Sequence, residues 1–211
     1  MLNIPTKNIL VLRFSAMGDV AIAASVMKEI AAQHPDIHFI FTTRTFFSPL
    51  FNNIPNVTVF AVDFTEKYKG LKGIFKLYKD LNKNYKIDAV ADLHDVLRTK
   101  LLTFCLSLKK IKISTIEKGR KEKRALCNLN NQNKTPLKPT WQRYVDVFQQ
   151  LGIKTVIKPQ PIPYVPEKIQ KIGVSPFAQH KGKMYPAELL EKVLEILNKN
   201  YEIYLFGGGK K

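Results

Sequence analysis

Hydrophobic and polar positions follow two alternating patterns along the first half of the chain. Short apolar runs rich in Val, Ile and Phe are typical of strands buried on both faces of a sheet. Between these runs, apolar residues recur at the spacing of an amphipathic helix. The pattern predicts strands over residues 8–14, 37–42, 57–62, 87–92 and 110–115. It predicts helices over residues 20–33, 44–52, 71–81 and 97–108. This alternation predicts βαβ units and a parallel sheet, the α/β class.

The pattern breaks after the fifth strand. The basic run Lys118–Arg124 (KGRKEKR) is followed by the polar segment Asn128–Pro139, which predicts a loop. A helix is predicted over Trp141–Leu151, closed by Gly152. Residues 158–166 contain four prolines and predict an extended linker. Beyond it, a strand, a helix and a strand are predicted over residues 171–175, 186–198 and 202–206.

These elements predict three regions: a complete α/β lobe over residues 1–157, a linker over residues 158–170, and the start of a second α/β lobe over residues 171–211. Two strands and one helix are too few to bury a parallel sheet on both faces. We therefore expect the second lobe to be incomplete within these 211 residues.

The charge of the chain is strongly positive, with 34 Lys and Arg against 17 Asp and Glu, a formal net charge of +17. Lysine dominates. One interpretation is a solvated lysine-rich surface, and the other is an anionic partner: nucleic acid, an acidic membrane surface or a phosphorylated glycan. The sequence shows no nucleic-acid-binding module and little arginine, so we expect no specific nucleic-acid partner.

Two cysteines, Cys105 and Cys127, form neither a metal-binding pattern nor a disulfide framework. The N-terminus lacks the layout of a signal peptide, and no apolar run approaches the length of a membrane span. We expect a cytoplasmic protein whose membrane contact is peripheral.

Candidate chemistry lies in the segment LRFSAMGDV, residues 12–20, where a buried strand leads into a helix. Ligands bind at the carboxyl ends of strands in parallel sheets. Gly18 would let a ligand approach closely, and Asp19 could accept a proton from a hydroxyl group. Alternatively, Asp19 is only a helix N-cap. The three-glycine dinucleotide fingerprint is absent from the sequence, which disfavours a nicotinamide dehydrogenase.

The run Ser15-Ala16-Met17-Gly18-Asp19 resembles the signature of the lipopolysaccharide heptosyltransferases, glycosyltransferase family 9, although Ser25 stands where the family usually has proline. Three further regions resemble the family in the same order. In residues 87–102 the matches are Asp92, Arg98 and Thr99, with His94 in place of the usual glutamine; residues 141–153 resemble the helix before the linker. In the last region the matches are Lys183, Tyr185, Pro186 and the run Phe206-Gly207-Gly208-Gly209.

The resemblance implies a GT-B fold of two Rossmann-like lobes and inverting transfer of heptose from ADP-heptose to the Kdo inner core of lipopolysaccharide. Asp19 would be the general base. Substrate would be bound by Ser15, Gly18, Asp92, Arg98, Lys183, Gly207 and Gly208. Of these, Lys183 would bind the donor diphosphate. No metal or cofactor beyond the sugar nucleotide is expected. For Asp92 and Arg98 a structural ion pair is an equal alternative.

Two other functions stay open. The chain could be a family 9 glycosyltransferase for a different sugar nucleotide, or a lobe that binds an anionic glycan without catalysis. The family's D-x-G-x-x-H region does not occur in these 211 residues. We therefore expect this polypeptide alone to have little transferase activity, since catalysis needs the donor positioned against the acceptor.

Overall fold

Five parallel strands form the central sheet in the computed structural model, which describes residues 7–128, 135–157, 171–178 and 180–207. The strands are β1 (Lys7–Leu12), β2 (Ile37–Arg44), β3 (Val57–Val62), β4 (Ala89–Asp92) and β5 (Lys112–Thr115). Their order across the sheet is β3-β2-β1-β4-β5. These are five of the six strands of the Rossmann order 3-2-1-4-5-6, and the order reverses between β1 and β4. The predicted α/β class and Rossmann-like parallel sheet are confirmed.

Helices cover both faces of this sheet, as parallel strands require. The helices of this unit are α1 (Met17–Gln33), α2 (Gly70–Asn84), α3 (Leu97–Ser107), α4 (Arg120–Cys127) and α5 (Thr140–Gln150), with a 3₁₀ helix at Thr45–Phe51. α4 has no buried residue, and the others cover the sheet. On one face, α1, α5 and the 3₁₀ helix bury a core that includes Met27, Phe41 and Phe148. On the other face, α2 and α3 bury a core that includes Leu77 and Leu102.

Helix α4 corrects the interpretation of the basic run as a break in the pattern. The run is helical from Arg120, after Gly119 in the left-handed conformation with φ of 62°. The guanidinium of Arg143 donates hydrogen bonds to the Glu117 carbonyl, at 3.0 Å, and to the Glu122 carboxylate, at 2.5 Å. Lys, Arg and Glu are good helix formers, so the run can form a helix without an apolar stripe. The contact with α5 stabilises this helix, and the polar sequence gives no indication of that contact.

The end of α5 follows the prediction. Gly152 has a φ of 91°, and its N–H donates to the carbonyl of Gln149, at 2.9 Å. The N–H of Ile153 donates to the carbonyl of Phe148, at 3.0 Å. Paired bonds of this kind close a helix through a left-handed glycine.

Contacts within the chain divide it into two units, residues 1–158 and 159–211. The second unit contains the parallel strands β6 (Lys171–Val174) and β7 (Glu202–Leu205), with α6 (Ala187–Leu197) between them in sequence. A short 3₁₀ turn, Lys181–Lys183, precedes α6. The predicted linker, residues 158–170, lies outside the described residues.

Candidate active site

The point where the strand order reverses brings together the segments that follow β1 and β4. Leu12 at the end of β1 pairs with Asp92 at the end of β4. The segments that follow β1 and β4 then leave the sheet at its carboxyl edge, towards α1 and α3. Ligands of open α/β sheets bind in the crevice at such a reversal.

Arg13 is the first residue after β1 and is 7% exposed. One terminal nitrogen of its guanidinium donates to the Leu93 carbonyl, at 2.7 Å, and the other pairs with the Asp19 carboxylate. The guanidinium also lies 5.9 Å from the centre of the Tyr144 ring. A planar guanidinium with several partners has little freedom to move. Arg13 therefore links β4, α5 and the carboxylate of Asp19.

Asp19 lies in the first turn of α1, and 42% of its side chain is exposed. Ala16 occupies the N-cap position, so the side chain of Asp19 is not the cap. The Tyr144 hydroxyl donates to the backbone carbonyl of Asp19, at 3.4 Å, and burial raises the pKa of Tyr144 to about 12. Asp19 is thus held from two sides and still open to a ligand.

Gly18 is exposed, and a Cβ added there would meet nothing within 4 Å. No neighbouring part of the chain therefore requires glycine at this position. Gly18 precedes Asp19 in the chain but is not among the residues that line the cavity beside Asp19. Ser15 is half-buried in the turn between β1 and α1.

A cavity of ≈ 380 Å³ opens beside Asp19, between α4, α5 and the carboxyl edge of the sheet. Its cationic lining residues are Arg13, Lys118, Lys123, Lys138 and Arg143. Asp19 is the one acidic residue among the described residues that line it. A second cavity, of ≈ 430 Å³, lies near the end of α2 and the opposite edge of the sheet, and has no acidic lining residue. Of these two cavities, the first is therefore the candidate site, because it combines a carboxylate with cations.

Asp92 is 1% exposed, and the structure places its carboxylate in the protein interior. One oxygen accepts hydrogen bonds from the backbone N–H groups of His94, at 2.9 Å, and Asp95, at 3.0 Å. Burial raises the pKa of Asp92, and these two hydrogen bonds oppose the shift. In this position Asp92 shapes the loop after β4 and does not line the cavity.

Arg98 is exposed on α3, with its guanidinium 4.9 Å from the centre of the Phe64 ring. It forms no ion pair with Asp92 in the described part of the chain. The ion-pair interpretation of these two residues is therefore wrong. The structure does not bring Arg98 to the cavity that Asp19 lines.

His94 follows β4 and is 9% exposed. The backbone N–H of Phe14 donates to its Nδ1, at 3.4 Å. Burial, followed by the positive charges of Arg13 and Lys118, lowers the pKa of His94 to about 4. The imidazole is therefore neutral at pH 7 and fixes the segment after β1 against the loop after β4.

The second unit carries the remaining candidates. Lys183 is exposed in the 3₁₀ turn, and its backbone N–H donates to the His180 carbonyl, at 2.9 Å. Pro186 is the N-cap residue of α6. Gly207 follows β7, and a Cβ there would lie 3.6 Å from the Phe177 ring. Gly208 lies outside the described residues.

The sequence interpretation missed Arg13 and Tyr144. Arg13 had a visible signal, because it is a cation directly after the apolar run of residues 9–12. Tyr144 had none, because its helical spacing within α5 is that of an ordinary core residue. Only the packing of α5 against α1 shows that its hydroxyl reaches Asp19.

No group of three or more His, Cys, Asp or Glu side chains among the described residues has the arrangement of a metal site. Within the same residues, no helix has the length and apolar character needed to cross a bilayer.

No family profile matches the chain. The lipopolysaccharide core heptosyltransferase OpsX of Haemophilus influenzae is 31% identical over 133 residues, which are 63% of this chain and 37% of that protein. The crystal structure of the glycosyl transferase family 9 from Veillonella parvula matches with a TM-score of 0.68 at 17% identity, covering 96% of this chain and 62% of that one.

The chain resembles the heptosyltransferases of glycosyltransferase family 9. The E. coli heptosyltransferase WaaC with ADP-2-deoxy-2-fluoro heptose matches with a TM-score of 0.62 at 16% identity, covering 96% of this chain and 69% of WaaC. The family resemblance and the GT-B-like fold expected from the motifs are confirmed. The alignments span 37% of OpsX and 62% of the Veillonella chain, so this chain matches only part of its relatives.

Proposed function

We propose that the protein is an inverting glycosyltransferase that moves heptose from ADP-heptose to the Kdo inner core of lipopolysaccharide. The observation that carries the proposal is the carboxylate of Asp19. It lines the cavity at the strand-order reversal and is held there by the buried Arg13. The similarity to OpsX and WaaC, both named as heptosyltransferases, supports the choice of reaction.

Asp19 would act as the general base. An acceptor hydroxyl bound in the cavity gives its proton to the carboxylate as its oxygen forms a bond to the anomeric carbon. The bond from that carbon to the diphosphate breaks on the opposite face, and ADP leaves with the bonding electrons. Arg13 positions the carboxylate, and the negative charge of Asp19 favours the positive charge that develops on the sugar ring.

The charge of the cavity supports an anionic acceptor. Lys118 is half-buried, and its ammonium donates to the Asp95 carbonyl, at 2.7 Å. Burial lowers the pKa of Lys118, and the charge of Asp95 opposes this. With Lys123 and Lys138 nearby, the cavity suits an acceptor that carries carboxylates or phosphates, as the Kdo region of a glycolipid does.

The donor would be bound by the second unit. Lys183 precedes α6, and the N-terminus of a helix beside a cation is suited to a diphosphate. Gly207 and Gly208 would let the nucleotide approach the backbone after β7. The sugar nucleotide is the only small molecule that this reaction requires. The enzyme would act in the cytoplasm at the inner membrane, where a lipid-linked acceptor is found.

The cations of the cavity favour a second candidate, a lobe that grips an anionic glycan without transferring sugar. Charge complementarity alone would give this function, because binding does not need Asp19. The two candidates differ in the effect of Asp19: it controls turnover in the first and is dispensable in the second.

The test is transfer from ADP-heptose to Kdo-lipid A, followed by mass spectrometry. Because the chain matches only part of its relatives, the assay uses the longest form that its gene encodes. Asp19→Asn keeps an oxygen for Arg13 and removes the base, so we expect kcat to fall by about 10² or more with acceptor binding kept. Normal turnover of Asp19→Asn would refute the mechanism. Transfer only from another sugar nucleotide would refute the donor, and acceptor binding without transfer would establish the second candidate.

A further inference from the structure

Helix α3 is apolar on two opposite sides. Its inward side packs Leu102 and Leu106 into the core on the face of the sheet that α2 and α3 cover. Its outward side carries Leu97, Phe104 and Leu108, which are 78%, 62% and 73% exposed. These three residues are separated by seven and four positions, a spacing that places them in one row along a helix. The row faces away from the core.

Helix α2 contacts α3 and covers the same face of the sheet. Its Leu71 and Phe75 are also exposed. Lys109, just after α3, lies 5.6 Å from the Tyr78 ring and donates to the Asn82 side chain, at 2.6 Å. Because Leu71, Phe75, Tyr78 and Asn82 lie along one side of α2, that side faces α3. The exposed apolar residues of the two helices are therefore neighbours.

The charge around these apolar residues is positive. Helix α2 contributes four exposed lysines: Lys72, Lys76, Lys79 and Lys83. Helix α3 adds Arg98 and Lys100, both exposed. The single acid within the two helices is Asp80, whose carboxylate is bound by Lys67, at 3.1 Å, and the Tyr68 hydroxyl, at 2.8 Å.

We propose that this surface docks on an anionic lipid bilayer. We call it the α2–α3 face and define it as Leu71, Phe75, Leu97, Phe104, Leu108, Lys72, Lys76 and Lys79. Soluble proteins rarely leave a contiguous apolar patch of this kind uncovered. Leu and Phe beside a row of lysines is the composition of elements that lie in the membrane interface, with the apolar side chains among the acyl chains and the cations at the headgroups. Charge complementarity selects a negatively charged lipid surface, because the lysines of the face have no acidic partner within the two helices other than Asp80.

This proposal does not rest on glycosyl transfer. The face is formed by α2 and α3, and none of its residues lines the cavity beside Asp19. Binding to vesicles that contain no acceptor and no sugar nucleotide therefore tests the face alone, and its failure leaves the proposed function untouched.

The experiment is flotation of the full chain with two kinds of vesicle at about 0.15 M salt. One kind is phosphatidylcholine, and the other contains about one third phosphatidylglycerol. We expect binding to the second only. Binding to these anionic vesicles should weaken by roughly tenfold or more in the triple variant Leu97→Gln, Phe104→Gln, Leu108→Gln. The affinity for these vesicles should fall by about 10² in the triple variant Lys72→Gln, Lys76→Gln, Lys79→Gln. Each lysine near an anionic surface contributes roughly a factor of five to that affinity.

Two matched controls make the result specific. Phe46→Gln changes an aromatic residue that is 78% exposed but lies on the 3₁₀ helix at the other face of the sheet. Lys154→Gln, Lys192→Gln and Lys199→Gln together remove the same charge elsewhere on the chain. Both controls should bind as the unmodified chain does. All the changed residues are exposed, so circular dichroism should show each variant folded.

Three outcomes would overturn the proposal. Face variants that bind as tightly as the unmodified chain would show that lipid is not held there. Equal loss in the lysine control would show that net charge alone attracts the chain. Light scattering without vesicles gives the third outcome. If the unmodified chain self-associates and the variant changed at Leu97, Phe104 and Leu108 is monomeric, a second copy of the chain covers the face.

Discussion

The guanidinium of Arg13 holds the carboxylate of Asp19 across the turn between β1 and α1. The same guanidinium donates to the Leu93 carbonyl beyond β4. The position of Asp19 is therefore tied to both strands at the point where the strand order reverses. A carboxylate held by two strands keeps its geometry, which the proposed role as general base would require, because small displacements of a reacting group are costly in rate.

We predict that Arg13 is a positioning residue for Asp19. Arg13→Ala should lower kcat by roughly 10- to 100-fold and change the acceptor KM little, because the carboxylate stays but loses its orientation. Arg13→Lys should recover part of the loss, since an ammonium keeps the charge without the two-pronged contact. Steady-state kinetics with ADP-heptose and Kdo-lipid A measure both parameters.

The kinetic pattern separates this role from a structural one. If Arg13 only supported the fold, the rate of both variants would follow their loss of stability, which thermal unfolding measures independently. A fall in kcat that Arg13→Lys does not relieve at all, at equal stability, would contradict a positioning role based on charge.

We predict that Gly18→Ala leaves the fold intact and impairs acceptor binding. The added methyl group would meet no atom of the chain within 4 Å, so the free energy of unfolding should change by less than about 1 kcal/mol. If the acceptor approaches this open stretch of backbone, the methyl group would obstruct it, and the acceptor KM should rise by about tenfold or more. Unchanged kinetics would show that the acceptor does not approach this backbone.

We predict that Gly73→Ala is strongly destabilising. Gly73 is in α2, and a Cβ there would overlap the backbone carbonyl of Tyr68. Because backbone atoms cannot move aside as a flexible side chain can, the clash should outweigh the gain in helix propensity, with a net cost of roughly 2 kcal/mol or more. Urea unfolding of Gly73→Ala and Gly18→Ala measures the contrast, and equal stability of the two would contradict it.

We predict that His94 makes the fold sensitive to mild acid. The pKa of His94 is about 4 in the folded chain, against an ordinary value of 6.5. Between these values the unfolded chain binds more protons, so stability must fall as pH falls. The contribution of His94 to the free energy of unfolding is fully present above about pH 6.5. This contribution should decrease by about 2 to 3 kcal/mol as the pH falls to about 4.5.

His94→Gln isolates this effect. The variant has no imidazole to protonate, so its free energy of unfolding should depend less steeply on pH than that of the unmodified chain. Asp92 acts in the opposite direction, because its raised pKa disfavours the folded state as pH rises through the acid range. Comparing the two proteins at the same pH values removes that contribution, and parallel curves for both would contradict the assignment to His94.

The sequence predicted the sheet well because buried parallel strands are apolar and short, and few other structures have that pattern. β3 has the predicted ends, and α2 extends the predicted helix by one residue before and three after. α4 could not be predicted from periodicity. Its contact with Arg143 joins segments distant in sequence, and such contacts leave no local signal.

The site was predictable only where the residue type, together with its place in the sequence, indicates a chemical role. Asp19 stood out as a carboxylate where a buried strand leads into a helix, and Gly18 as the glycine beside it. The role of Asp92 was not predictable, because a carboxylate at a strand end can face a ligand or turn inward, as it does here. The two apolar sides of α3 also look alike in sequence, and only the position of the core shows which side is left exposed.

Helix α3 begins where β4 ends, at the same edge of the sheet as Asp19. A chain that rested on lipid through α3 would thus carry the proposed base, Asp19, at a constant height above the bilayer. Its encounters with a membrane-anchored acceptor would then occur by lateral diffusion in two dimensions. Turnover would depend on the number of acceptor molecules per unit of membrane area, and one enzyme could visit many of them without returning to the bulk solution.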